Sequence, residues 1–207
     1  PWVLDDTFGT GGKLSVSLTA GVDYIANMQV LPSGKILAVG AVNDRFGILR
    51  FNSDMTLDMT FGAGGGTQTD FGAGVHALSF TFDSSGRIVA VGGNRIARFT
   101  ANGVLDTTFG TNGSTQCDNI NSAYGVVIQP DGKIVATGRN NEYFRVMRFT
   151  SSGAVDGDWA YDLAGYSADY VRGLVVRDDG DILLGGRAGQ YWGTDWFSTY
   201  RLNSYGQ

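Results

Sequence analysis

One pattern of about 50 residues recurs four times along this 207-residue chain, and a fixed period of that length restricts the fold to a propeller, a solenoid or an array of small units. The turn glycines Gly34, Gly86, Gly132 and Gly180 lie 52, 46 and 48 residues apart. Six residues after each comes a second glycine: Gly40, Gly92, Gly138 and Gly186. A basic–apolar pair follows, as Arg50-Phe51, Arg98-Phe99, Arg148-Phe149 and Arg201-Leu202. The next landmark is Leu4-Asp5, Leu57-Asp58, Leu105-Asp106 or Val155-Asp156. Three of these run on into Thr7-Phe8-Gly9, Thr60-Phe61-Gly62 and Thr108-Phe109-Gly110, whereas the fourth reads Asp158-Trp159-Ala160 and keeps only an aromatic.

Each period reads as strands. Met28 and Val30, Phe80 and Phe82, Val126 and Ile128, and Leu174 and Val176 alternate just before the turns, and period-2 apolar placement buries one face of a strand. Ser33-Gly34, Ser85-Gly86, Asp131-Gly132 and Asp179-Gly180 are hairpin turns, because glycine takes positive φ without steric cost. Second strands are expected at 35–39, 87–91, 133–137 and 181–185, and a third ends at each Arg-Phe-like pair. A more polar fourth follows each aromatic step, at 13–18, 66–70, 114–118 and about 160–164. No window shows a capped stripe of period 3.6, so no helix is expected.

Four short antiparallel strands per period make one propeller blade. The expectation is therefore an all-β fold, a β-propeller of four four-stranded antiparallel blades. Its N-terminal strand would complete the last blade and so remove the open sheet edges. The alternative is a four-blade arc, completed by an oligomeric partner or by further parts of a larger propeller. The shared repeat argues for a single domain over 1–207, with repeats at approximately 4–56, 57–104, 105–154 and 155–207. The chain opens on Pro1-Trp2 without Met, which reads as a piece of a longer protein.

Composition narrows the partners. A net charge of −5 and a pI near 4.7, with no Lys/Arg-rich run, argue against nucleic acid, whose phosphates need clustered cations. No apolar stretch approaches 18 residues, so no membrane insertion is expected. Cys117 is the single cysteine, which excludes an internal disulfide.

The stretch Ile128-Gln129-Pro130-Asp131-Gly132-Lys133-Ile134-Val135, followed by Gly138, Arg148-Phe149 and Ser152-Gly153, is the fullest copy of one half of the repeat. Leu105-Asp106-Thr107-Thr108-Phe109-Gly110-Thr111-Asn112-Gly113 is the other half. Together they resemble the delta-60 repeat family, found in tandem in large secreted and surface proteins of bacteria and in some phage-encoded proteins. The resemblance covers nearly the whole chain and is strongest in the first three repeats. It implies a propeller-like β repeat outside the cell or on a virion. It carries no family catalytic residues to transfer.

Residues present in every repeat serve the repeat. The recurring Arg50, Arg98, Arg148 and Arg201, and the recurring Asp5, Asp58, Asp106 and Asp156, are thus expected to brace strand corners rather than to ring a pore. Phe8, Phe61, Phe109 and Trp159 are expected as wedges between blades. His76 is the only histidine and Cys117 offers it no zinc-ligand spacing, so His76 is placed at the start of an inner strand near one face of the disc. Asp23, Asp70, Asp118 and Asp169 fall in or beside loops that lead into inner strands, and they are the candidates for a Ca²⁺ site. No other cofactor is expected.

Function is expected where the blades differ, since loops on a rigid scaffold carry it. The loop between the second and third strands of the fourth blade is the odd one, reading Arg187-Ala188-Gly189-Gln190-Tyr191-Trp192-Gly193-Thr194-Asp195-Trp196. Gln190, Tyr191, Trp192, Asp195 and Trp196 have the makings of a sugar-stacking or protein-contact patch. The sequence therefore reads as a non-catalytic adhesion or interaction module of a secreted, cell-surface or phage tail-fibre protein, recognising a glycan or protein by loops on one face. The alternatives are a structural spacer that contacts sister subunits and a polysaccharide-acting enzyme with carboxylates at the central mouth.

Overall fold

The computed structural model describes residues 2–15, 21–140, 143–161, 170–189 and 195–205. It is all-β over these residues, with four antiparallel sheets in chain order. The first holds β1 (Tyr24–Val30), β2 (Ile36–Val42), β3 (Arg45–Phe51) and β4 (Gly66–Thr69). The second holds β5 (Ser79–Phe82), β6 (Ile88–Gly92), β7 (Arg95–Phe99) and β8 (Ser114–Gln116). The third holds β9 (Ser122–Ile128), β10 (Ile134–Arg139), β11 (Phe144–Phe149) and β12 (Val155–Tyr161). The fourth has three strands, β13 (Tyr170–Val176), β14 (Ile182–Gly189) and β15 (Asp195–Leu202).

The two recurring glycines have separate causes. Gly34, Gly86, Gly132 and Gly180 turn the first hairpin of each sheet at φ of 79°, 74°, 83° and 86°, a region L side chains avoid. Gly40, Gly92 and Gly138 instead leave room for backbone. An added Cβ on them would overlap the carbonyl oxygens of Tyr24, His76 and Ser122, where the strand entrance crosses close by. That crossing fixes Tyr24, His76 and Ser122 at one common end of three successive sheets.

Sheets pack face to face in sequence. Leu37, Val39, Phe46 and Ile48 of the first meet Phe80, Ile88, Ala90 and Phe99 of the second. Val89, Val91 and Ile96 meet Val126, Ile134, Ala136 and Phe149 of the third. Val135, Phe144 and Val146 meet Ile182, Leu184 and Leu202 of the fourth. Each of these contacts removes large apolar side chains from water, the main favourable term in folding.

The recurring charges brace the outer corners. Arg50 Nε donates to Asp58 at 2.6 Å, Arg98 Nε to Asp106 at 2.7 Å and Arg148 Nε to Asp156 at 2.6 Å. Their Nη1 atoms cross to the next sheet, donating to the carbonyls of Ala101, Ser151 and Ser204. Phe61 and Phe109 are fully buried, each beside a turn glycine of the following sheet, Gly103 and Gly153. Trp159 packs into the third junction, with the Arg148 guanidinium 5.3 Å from its ring centroid.

Three expectations change. The outer strand of the third sheet starts at Val155 rather than near 160, because without a Thr-Phe-Gly turn the chain pairs directly with β11. Leu4 to Lys13 fold like the other Leu-Asp-x-Thr-Phe-Gly corners, with Asp5 Oδ1 accepting from Thr7, but make only an isolated Gly9–Lys13 bridge. Residues 16–20 of the expected first strand lie outside the described residues. Phe8 is 38% exposed instead of buried. The first sheet carries Met55, at φ 65°, where the next two carry Gly103 and Gly153, so no glycine cleft is there to receive its ring. Among the described residues nothing pairs with the free edge of β15, and no core cluster joins the first sheet to the last.

Candidate functional site

The end of the sheets where the inner strands begin also carries the β2–β3, β6–β7, β10–β11 and β14–β15 connections, because neighbouring strands run antiparallel. At this end a cavity of about 390 Å³ opens between the first three sheets. Tyr24, His76, Asn94, Asn121 and Ser122 line it, with backbone at Gly74 and Gly93. Its volume falls within the range of small-ligand sites.

Local chemistry sets each group. Asn43 and Asp44 take φ of 53° and 57°, the paired positive values of a tight two-residue hairpin turn. The turn is clamped from below: Asn43 N–H donates to Asp23 Oδ1 at 2.9 Å, and Asp44 N–H to the Val22 carbonyl at 2.9 Å. Asp44 is thereby aimed at the second sheet, where its Oδ1 lies 2.9 Å from His76 Nε2. His76 Nδ1 in turn lies 2.9 Å from the Tyr24 hydroxyl, with the two rings edge to face at 5.4 Å.

The protons follow from the partners. A carboxylate only accepts, so Nε2 carries the proton that meets Asp44. In that tautomer Nδ1 is an acceptor, to which the Tyr24 hydroxyl donates. Burial first, and then the Asp44 charge, push the Tyr24 hydroxyl above its ordinary range, so Tyr24 keeps its proton. This Asp44–His76–Tyr24 chain ties the first sheet to the second. It leaves the phenol oxygen lone pairs for a ligand donor.

Three of the four expected metal candidates lie among the described residues. Asp23 spends a carboxylate oxygen on the Asn43 amide. Asp70 accepts from Gly72 N–H and lies 3.3 Å from Arg45. Asp118 is exposed, and Asp169 lies outside the described residues. Among the described residues no three His, Cys, Asp or Glu side chains come together to hold a metal.

Of the expected aromatic patch, Gln190, Tyr191 and Trp192 lie outside the described residues. The backbones of Asp195 and Trp196 open β15, paired with Gly189 and Ala188. Asp195 and Trp196 thus begin their strand at the same end of the molecule as the cavity. Cys117 is buried in the core between the second and third sheets, where burial pushes its thiol up to about 12. It is no partner for His76. Sequence reasoning placed His76 correctly near this face but missed Tyr24, Asp44 and Asn94. The only signal was the Asn43-Asp44 turn dipeptide.

Residues 31–61, 84–109 and 129–157 match the family described as "Domain of unknown function (DUF5122) beta-propeller". The first three repeats match a β-propeller pattern. The three matched stretches run from the first hairpin turn of a blade to its outer corner, so the family pattern and the bracing network coincide. No curated protein matches the chain. Among solved structures, one from Bacteroides caccae, of unknown function, superposes with a TM-score of 0.55 at 12% identity, over 88% of this chain and 64% of that one. A candidate gluconolactonase superposes with a TM-score of 0.46 at 14% identity, over 91% of this chain and 67% of that one. This chain thus spans less than two thirds of the B. caccae chain, and the likeness concerns the fold alone.

Proposed function

We propose that the chain is a non-catalytic glycan-binding module, of the delta-60 repeat kind, in a secreted, cell-surface or virion protein. The carrying observation is the polar cavity to which three blades contribute differing groups: Tyr24 from the first, His76 with Asn94 from the second, and Asn121 with Ser122 from the third. Sugar hydroxyls need paired donors and acceptors at fixed spacing, and carboxamides, a phenol and a serine hydroxyl offer both. The start of β15 at Asp195 and Trp196 lies at the same end. Binding to an immobilised glycan panel tests this reading. Asn94→Ala is expected to abolish the wild-type signal and Trp192→Ala to weaken it. Equal binding by both variants would remove this face from the account.

The finer form of the fold that we infer is the open four-blade arc of a larger ring, rather than a ring clasped by the chain's own first strand. The exposure of Met28, at 48%, supports it, because its counterparts Phe80 and Val126 are buried in blade junctions; Val30 is 66% exposed where its counterparts Phe82 and Ile128 are half-buried.

A second reading rests on the Asp44–His76–Tyr24 chain, which could also pass a proton to or from a polysaccharide. Turnover on a polysaccharide panel, lost in His76→Ala, would establish that reading. No turnover would leave the binding module.

A further inference from the structure

We propose that the cavity takes a neutral sugar, one of whose hydroxyls donates to Tyr24, and that the Asp44 carboxylate turns acidic sugars away. The inference rests on the glycan reading of this site and adds which glycans fit it. A cavity of hydroxyl, carboxamide and imidazole groups would by itself serve either kind. The arrangement of protons and charge around it decides between them.

The protons come first. Asp44 only accepts, so it fixes the His76 proton on Nε2, 2.9 Å from its Oδ1. Nδ1, left as an acceptor, lies 2.9 Å from the Tyr24 oxygen and receives the one hydrogen bond that this hydroxyl can donate. Both ring nitrogens of His76 and the proton of Tyr24 are therefore engaged within the chain of three. Tyr24 presents only lone pairs to the cavity, and a ligand group against it must bring its own donor. A sugar hydroxyl does so, whereas a carboxylate or a sulfate has only acceptors to offer. An acidic group there would set two acceptors in contact with no proton between them.

Charge points the same way. Among the described residues no Lys or Arg lines the cavity. Arg45, Arg95 and Arg139 begin or end strands around it without lining it. Arg45 lies 3.3 Å from Asp70, and the Arg95 guanidinium lies over the Phe71 ring, 5.8 Å from its centroid. Asp44, by contrast, touches a lining side chain directly. Its charge reaches the cavity wall: after burial, it is what pushes the Tyr24 hydroxyl above its ordinary range. The field that disfavours a phenolate at that oxygen also disfavours a ligand carboxylate against it. An anion entering a cavity with no cation in its wall loses hydration that nothing offsets.

The fold holds Asp44 in this position. Asn43 and Asp44 form a two-residue turn whose amides donate to Asp23 Oδ1 and the Val22 carbonyl. A Cβ on Gly21 would overlap Asn43 Oδ1, so the turn is packed from beneath as well. The second blade has the same kind of turn, Gly93-Asn94, closed by the Gly92–Arg95 pair as the first is closed by Val42–Arg45. Asn94 thus holds the place in the second blade that Asp44 holds in the first. One turn position carries a neutral carboxamide that lines the cavity and, one blade earlier, an anion bonded to His76.

Matched oligosaccharides test this by calorimetric titration: oligomers of glucose, galactose and mannose against those of glucuronate, galacturonate and mannuronate, which differ at C6 by a hydroxyl or a carboxylate. For the sugar that binds, the neutral member is expected to bind at least about tenfold tighter than its uronate at low salt. Raising the salt is expected to narrow the gap, because it screens the repulsion. Asp44→Asn keeps a residue that tolerates positive φ and removes the charge. It also lets His76 carry its proton on Nδ1, which releases the Tyr24 proton to a ligand. It is expected to bring the pair within about threefold of each other. Tyr24→Phe, which removes only the hydroxyl of a 41% exposed residue, is expected to weaken the neutral member about fivefold. A uronate that binds as tightly as its neutral counterpart, or a gap that Asp44→Asn leaves unchanged, would overturn the inference while the glycan reading stands. Binding of no member, neutral or acidic, would overturn both.

Discussion

Arg98 Nη1 donates to the Ser151 carbonyl at 2.6 Å, a bond that crosses from the second blade to the third. The same guanidinium binds Asp106 at 2.7 Å and lies 4.7 Å from the Phe109 ring centroid, with only 5% of its side chain exposed. A nearly buried cation with all three contacts is costly to remove, because Asp106 is left without its partner. Arg98→Ala is expected to lower the unfolding free energy by about 3 kcal/mol. Arg201→Ala, exposed at the open end, should change it by less than about 1 kcal/mol in the monomer. Urea titration of both variants checks the contrast.

The acid limb of stability should come from the same corners. The Lys35 ammonium first, then the Thr60 hydroxyl, with Arg50 also bonded to it, hold Asp58 far below the usual carboxylate range. Arg148 and Lys133 hold Asp156 down in the same way. Carboxylates depressed in the native state bind protons more tightly once unfolded. Their contribution is therefore present above an unfolded value of about 4 and is lost as pH falls through the native values. Melting temperature should be flat from neutral pH to about 5 and fall below about 4. Asp58→Asn should melt lower at pH 7 and lose less on acidification. A melting temperature that rises on acidification would contradict this.

Gly103 and Gly132 separate backbone strain from blade contact. Both sit at φ near 80°, at 80° and 83°. A Cβ on Gly132 meets nothing within 4 Å, whereas one on Gly103 falls 2.6 Å from the Phe61 ring. Gly132→Ala should cost about 1 kcal/mol from conformation alone. Gly103→Ala should cost at least about 2 kcal/mol, because Phe61 must also move. Denaturant melts of the two variants measure the difference.

Cys117 should be chemically silent. The reactive species is the thiolate, and burial among Phe109, Ile120 and Ala123 pushes the thiol up to about 12. A disulfide reagent at pH 8 should leave the native chain unlabelled and label one thiol per chain in urea. Fast native labelling would mean that the junction between the second and third blades opens.

Much of this was legible in the sequence because it recurs. Arg and Asp recur at equal offsets in three repeats, two of which run on into Thr-Phe-Gly, and announce a bracing unit, and the Ser-Gly and Asp-Gly turns announce the hairpins. The cavity was not legible for the converse reason. Tyr24 and Asp44 belong to the first repeat and His76 to the second, 20 to 52 residues apart, and the position shared by Tyr24 and His76 carries a different residue in the third, Ser122. Only the crossing of backbone at Gly40 and Gly92, and the clamped Asn43-Asp44 turn, bring them together. The carboxylates of Asp23, Asp70 and Asp118 share a loop class in the sequence, but differ in offset, and those of Asp23 and Asp70 accept from separate backbone amides, of Asn43 and Gly72. Asp181 pairs with Arg201, a contact that becomes visible only when β14 and β15 are in register.

The central claim is that recurring residues hold the blades together while the non-recurring groups at one end of them bind. Asn94→Ala and Arg98→Ala, measured side by side for melting temperature and for binding to a glycan panel, test it most directly. The account predicts that Asn94→Ala melts like the wild type and loses binding, whereas Arg98→Ala melts well below it. Unchanged binding in Asn94→Ala, together with an unchanged melt in Arg98→Ala, would contradict both halves.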